Sequence, residues 1–375
     1  PLSVFMSTYP DQGTYDPEEV WKDFSALLER ATDSAAAATV MATGVKTYNG
    51  GVGVAPDSTR LHSVTEAAHS CGKATGVITS VQFTHATPAG FSAHNISRSN
   101  YAEIAQEMLF ESPLDLIMGC GHPFYDDNGE KAAEEKIDYR YVGGKDTWQA
   151  LVEGRAGSDT DEDGIPELWQ LIEKRETFKT MIEGETPERV IGIPTVHKTL
   201  QFNRTGSDSL PYQVEFNDNV PTLAEMTGAG LNILDDDENG FFLMVEGGAV
   251  DWASHNNNAA RMIEEQIEFN RAVEEAIEWV EEHSSWKETL VIVTADHECG
   301  YLQGPGSGGK RVNGERIDSV WKSLKNNGKG MLPDLAWYHS GHSNTLVPFF
   351  ARGSGWQRFR DAAEGEDPVY GDHLD

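Results

Sequence analysis

The chain has 375 residues, enough for one large α/β domain or two ordinary ones. Its 29 Lys and Arg stand against 61 Asp and Glu, a net charge of −32, so it offers no basic footprint for nucleic acid and would be repelled by an acidic membrane surface. Acid dispersed along the whole chain fits a folded, salt-adapted protein whose self-repulsion is screened in strong salt. Cys71, Cys120 and Cys299 are odd in number and show no Cys-x-x-Cys spacing, which argues against a disulfide framework. No apolar run is long enough to span a membrane. No signal peptide is visible, and the abrupt start at Pro1 is compatible with a removed one; a secreted or periplasmic location is the expectation.

Residues 1–31 read as a loop-rich opening followed by a short amphipathic helix near 18–30. Asp33-Ser34 then meets a run of alanines closed by Gly44, the pattern of a helix with a polar N-cap. Ser34 would sit where free backbone N–H groups point outward, a place suited to phosphate and to a nucleophile, although an ordinary capping serine reads the same way. Residues 63–71 predict a helix and 74–79 a buried strand, with the turn Thr84-His85-Ala86-Thr87-Pro88 at its exit. Residues 101–110 predict a helix and 114–118 a buried strand. From 121 to about 225 the chain turns polar, and we read an insertion or cap within a single domain spanning 1–375. Residues 241–245 predict a strand. A long helix follows over 259–282, with Met262, Ile267, Val273, Ile277 and Val280 inward and acid outward. Residues 289–294 predict a buried strand and 346–351 the last one. Strands alternating with helices imply an α/β fold with a largely parallel central sheet and helices on both faces.

Ligands collect beyond the carboxyl ends of strands in such sheets. Glu246 ends one strand and runs into Asp251 and His255, which share a helix face and can grip one metal. Asp296-His297-Glu298 follows another strand, and His339-Ser-Gly-His342 precedes the last. With Ser34 at a helix start, these groups point to metal-assisted phosphoryl or related transfer.

Five segments together resemble the alkaline phosphatase family, in its order, over residues 30–353. They are Asp33-Ser34-Ala35-x-x-Ala38-Thr39; Thr84-His85-Ala86-Thr87-Pro88-Ala89 with Ser97-Arg98; Glu246-Gly247-x-x-x-Asp251-x-x-x-His255; Thr294-x-Asp296-His297-Glu298-x-Gly300; and Gly341-His342-Ser343-x-x-x-Val347-Pro348. The resemblance implies hydrolysis of small phosphate monoesters, Ser34 as the nucleophile that becomes phosphoserine, and Arg98 clamping two phosphate oxygens. It implies one Zn2+ on Asp251, His255 and His342, a second on Asp296 and His297, and Mg2+ on Thr87 and Glu246. His342 suits the family's spacing better than His339. Asp33 would position Arg98, and Trp252 the substrate. Trp252 and His85 resemble the marine and animal-like branch, with His85 acting through water. A homodimer is also implied.

The family opens with an apolar strand ending in Asp-Gly, whose aspartate bridges two metals. No such strand is legible before Ser34, and we expect it upstream of Pro1. Separately, Asp159, Asp161 and Asp163 with Gly164 resemble the opening of a Ca2+ loop within 159–167, although Gln170 replaces the closing Glu. Two rival readings are a relative cleaving diesters or sulfate esters, and a non-catalytic acidic cation-binding protein.

Overall fold

The structure, a computed structural model, describes residues 1–160, 164–312 and 315–374. Two five-stranded sheets organise it. The first takes β2 (Ala74–Gln82), β3 (Leu116–Cys120), β4 (Gln170–Ile172), β5 (Val190–Gly192) and β6 (Phe241–Glu246) in the order β4-β5-β3-β2-β6, every neighbour parallel. Parallel sheets bury both faces, and the side chains follow. Val77, Ile117 and Ile191 enter one apolar cluster, while Ile78, Leu116, Met118 and Val190 enter the other. One cluster packs under helices α1 (Ser34–Thr43), α3 (Ala86–Ser92) and α4 (Tyr101–Phe110); the other packs under α5 (Leu223–Leu234) and α7 (Ala259–His283). The fold is the expected α/β arrangement. Strands β4 and β5 come from within the polar 121–225 segment, so part of that segment is built into the sheet.

The second sheet was legible only in part: the strands expected at 289–294 and 346–351 are present, but in a separate, mostly antiparallel sheet. It runs β9-β10-β1-β8-β7, from β1 (Leu2–Met6), β7 (Leu290–Val293), β8 (Val347–Gly353), β9 (Gly365–Asp367) and β10 (Gly371–Leu374). All its pairs are antiparallel except β1 with β10. The opening is therefore not all loop: Leu2–Met6 is a strand before Ser34, and it carries no aspartate. Strand β7 is not buried as expected; Leu290 and Ile292 are 37% and 42% exposed, because it lies at the sheet's end.

Two further expectations fail locally. In place of a helix over 18–30 there is one turn at Pro17–Val20, capped by Asp16, and a 3-10 turn at Ala26–Leu28. Between them the Asp23 carboxylate accepts from the Ser25 N–H and hydroxyl, a local bond that competes with helix. The long helix α7 is present, yet its acid is not all outward. Glu264, Glu265 and Glu268 are buried. Arg204 and Arg261 pair with Glu264, and Arg271 with Glu268. Glu265 is pushed up to about 8, chiefly by burial.

Candidate active site

Helix α1 is almost entirely enclosed, with Ala35 and Ala38 fully buried. Small side chains permit that closeness: a Cβ added at Gly90 of α3 would stand 2.6 Å from the Ala38 Cβ. The helix starts as expected, with Asp33 in extended conformation accepting from the Ala36 N–H, and ends at Gly44 with φ 74°. Ser34 is therefore held at the first turn, 6% exposed. The other oxygen of Asp33 binds Arg98 Nη1 at 2.9 Å. Arg98, Ser34, His85, Trp252, Asn256, Asp251, His255 and His342 line one cleft of about 280 Å³.

Helix α6 (Ala249–His255) presents Asp251 and His255 one turn apart. Its His255 Nδ1 lies 2.6 Å from the Ser340 carbonyl, and His342 Nδ1 lies 2.7 Å from the Thr32 carbonyl. A carbonyl only accepts, so both Nδ1 atoms carry the proton and both Nε2 atoms present bare lone pairs when the rings are neutral. Those Nε2 atoms face each other at 3.1 Å, and each lies 3.4 Å from an Asp251 oxygen. Asp251 Oδ1 is buried with no hydrogen-bond partner. Two lone pairs and a carboxylate aimed at one point repel one another unless a cation stands among them, and backbone carbonyls fixing the far ring nitrogens are what metal-binding histidines use. This donor set fits zinc. Burial opposes ionisation of Asp251, yet the neighbouring His342, His297 and His255 imidazoles hold it well below the usual carboxylate range.

Ser34 Oγ sits 3.0 Å from His297 Nε2, which is also 3.2 Å from Asp296 Oδ2. The His297 and His342 rings stack at 3.5 Å, which brings the two groups together. Burial pushes His297 down to about 3, so the ring is neutral. Burial and then the Asp251 charge push Asp296 up to about 7. Glu246 is likewise raised to about 7, by burial first, and accepts from the Thr79 hydroxyl. Thr87 Oγ1 is buried without a hydrogen-bond partner, and Thr87 neighbours Glu246. Carboxylates crowded until they resist ionising mark a place short of positive charge, and oxygen donors from Thr and Glu suit magnesium. His85 meets Trp252 edge-on, ring centroids 5.3 Å apart, and burial lowers it to about 3.

The structure thus gathers Ser34, Asp33, Arg98, Asp251, His255, His342, Asp296, His297, Thr87, Glu246, His85 and Trp252 into one neighbourhood. The acidic loop is apart: Asp159 accepts from the Gly164 N–H, and Asp161 and Asp163 lie outside the described residues. Three residues here escaped the sequence reading. Thr79 lies inside a strand, and Asn256 and Cys299 have no diagnostic spacing. Cys299 Sγ lies within 4.8 Å of the donor atoms of Asp251, His255 and His342. Burial, then Asp251, pushes its thiol well up.

Comparison with known proteins decides the lineage. The family described as Alkaline phosphatase matches residues 20–344. The chain belongs to the alkaline phosphatase family. It is 31% identical to alkaline phosphatase 3 of Bacillus subtilis over 302 residues, 79% of this chain and 52% of that protein. To the repressible alkaline phosphatase of Saccharomyces cerevisiae it is 34% identical over 283 residues, 72% of this chain and 46% of that one. The chain thus spans about half the length of these curated relatives. The cold-active alkaline phosphatase of a Shewanella species superposes with TM-score 0.63 at 25% identity, covering 94% of this chain and 84% of that one. Among the described residues no helix is long and apolar enough to cross a membrane.

Proposed function

We propose that this chain hydrolyses phosphate monoesters through a phosphoserine formed on Ser34. The observation that carries the reading is the cleft itself. Nucleophile, guanidinium and a set of bare imidazole and carboxylate donors face one space sized for a phosphoryl group. Asp251, His255 and His342 would hold one zinc, Asp296 and His297 a second, and Thr87 with Glu246 a magnesium; an alkaline phosphatase variant from the Antarctic bacterium TAB5 has been solved with magnesium bound. When bound, such metals supply charge that stabilises attacking and leaving oxygens and eases deprotonation of water and hydroxyl.

The protein's own residues do the rest. Asp33 fixes Arg98 so that its remaining N–H groups are free to take two non-bridging phosphate oxygens, a bidentate task lysine performs poorly. The first turn of α1 turns N–H groups and the positive dipole end toward the same anion. Ser34 Oγ attacks phosphorus as its proton passes to solvent, the ester P–O bond breaks, and the departing alkoxide takes a proton from water; a water molecule then attacks the phosphoserine, its P–O bond to Ser34 breaks, inorganic phosphate leaves, and the proton returns to Ser34. Trp252 and His85 wall the cleft. A homodimer, a secreted or periplasmic location, adaptation to salt, and Ca2+ at 159–167 belong to the same proposal and rest on resemblance and charge.

Replacing Ser34 by Ala in zinc- and magnesium-loaded protein should lower kcat at least about 10³-fold and abolish covalent labelling by phosphate. Retention of full activity would overturn the reading.

A further inference from the structure

The donor group around Asp251 contains a residue that the reading above leaves unused. Cys299 is not on a loose loop. Glu298–Cys299 pairs antiparallel with His342–Ser343, in a register that sets Cys299 directly opposite His342. Directly opposed residues of an antiparallel pair project from the same face, side chains adjacent. The Ser343 hydroxyl bonds the Glu298 carboxylate, and the Gly300 N–H donates to the Gly341 carbonyl, so the short ladder is tied on both sides. The Sγ therefore belongs to the same cluster as His342 Nε2, and its thiol donates weakly to the Asp251 carbonyl at 3.7 Å.

We propose that Cys299 is a fourth protein ligand to the metal held by Asp251, His255 and His342. The inference rests on the metal-site reading above. On binding, the S–H bond breaks, its proton passes to solvent, and the sulfur lone pair forms the bond to the metal. Two neutral imidazoles, one carboxylate and one thiolate carry two negative charges, which match a divalent cation. The soft sulfur turns the site toward zinc, cobalt or cadmium and away from magnesium and calcium, whose preference is oxygen. It also sets a cost. Four protein donors complete a tetrahedron, so an incoming oxygen must add as a fifth ligand or displace the thiolate. Metal retention is gained and Lewis acidity is lowered.

The test uses cobalt-loaded full-length protein. One equivalent of cobalt is added; visible d–d bands report that it is bound, and an intense near-ultraviolet thiolate-to-cobalt band reports sulfur bonded to it. The expected result is both in the native protein, with Cys299→Ser keeping the d–d bands and losing the sulfur band. Its metal should also be lost to a chelator at about tenfold lower chelator concentration. Native protein with d–d bands and no sulfur band overturns the assignment of Cys299 and leaves the site standing. No d–d bands at all overturns the site and Cys299 together. Should Cys299→Ser fail to fold, X-ray absorption of the native zinc protein decides: a Zn–S distance near about 2.3 Å supports the ligand, and a purely N/O shell refutes it.

Discussion

The buried triad that Glu264 and Arg261 of α7 form with Arg204 gives a prediction whose size follows from the structure. Glu264 lies between two guanidinium groups, 2.7 Å from Arg204 Nη2 and 3.1 Å from Arg261 Nη1, and its other oxygen accepts from the Tyr212 N–H. The Glu264 and Arg204 side chains are each 1% exposed, so water cannot replace either partner. Glu264→Gln keeps the shape and removes the charge, leaving two cations buried with no anion bonded to both. Breaking a buried pair from one side costs about 3–5 kcal/mol. With a urea dependence of about 3 kcal/mol per M, that is a fall of about 1–1.7 M in the unfolding midpoint. The companion is Glu111→Gln, which breaks an exposed pair with Arg60. It should cost under about 1 kcal/mol. Both variants lose one negative charge, so general self-repulsion cancels between them. Urea unfolding followed by tryptophan fluorescence reads the difference. Equal midpoints for the two variants would refute the claim that Glu264 is a structural anion.

Arg98→Lys should reduce kcat/KM for a monoester about 10- to 100-fold in steady-state assays, because one ammonium cannot replace a fork held by Asp33; an unchanged ratio counts against the clamp. Gly90→Ala should destabilise by about 1–3 kcal/mol and slow turnover, since the new Cβ, 2.6 Å from Ala38, must push α1 and Ser34 aside; unaltered stability in thermal unfolding would show that α1 yields freely. His94 lies 3.6 Å from Glu66, and the Leu61 carbonyl lies 2.8 Å from the same His94 nitrogen. Burial opposes both charges, yet the pairing raises His94 above 6.5 and lowers Glu66 from 4.5 to about 2. The His94 contribution is full below pH 6.5 and lost as pH rises through its raised value; the Glu66 contribution is full above pH 4.5 and lost as pH falls toward about 2. The pair is therefore strongest between those limits, and Glu66→Gln should lower the His94 pKa in an NMR titration; no movement rejects the coupling.

What could be read in advance was what local pattern encodes. The alanine run forces α1, and Ser63 with Glu66 forms a capping box that starts α2 (Val64–Ser70) as expected. The apolar runs at 74–79 and 241–245 become neighbouring strands. Most site side chains were legible because each lies at the end of such an element. What stayed hidden depends on distant partners. Leu2–Met6 becomes a strand only by pairing with residues 347–351 on one side and 373–374 on the other. The buried glutamates of α7 look like an outer face until Arg204 arrives from another loop to meet Glu264. Cys299 has no partner in its own stretch, and its place is set by the ladder to His342. No periodicity carries that kind of information.

The ends of the two sheets have a consequence for the protein in bulk. Among the described residues nothing pairs with the outer side of β6 or of β7. Both are short, rich in Val, Ile, Leu and Phe, and free of proline. Such a row of open N–H and C=O groups is adhesive, and another chain can extend it. No lysine or arginine within either strand blunts it, so the guard is the surface as a whole: at −32 net charge two copies repel before their edges meet. That guard acts through space and fades as the screening length shrinks to about 3 Å at 1 M salt. The hydrogen bonds that would join two edges do not fade with it. Salt relieves the chain of its own repulsion and, by the same screening, lets neighbouring molecules approach the open strands.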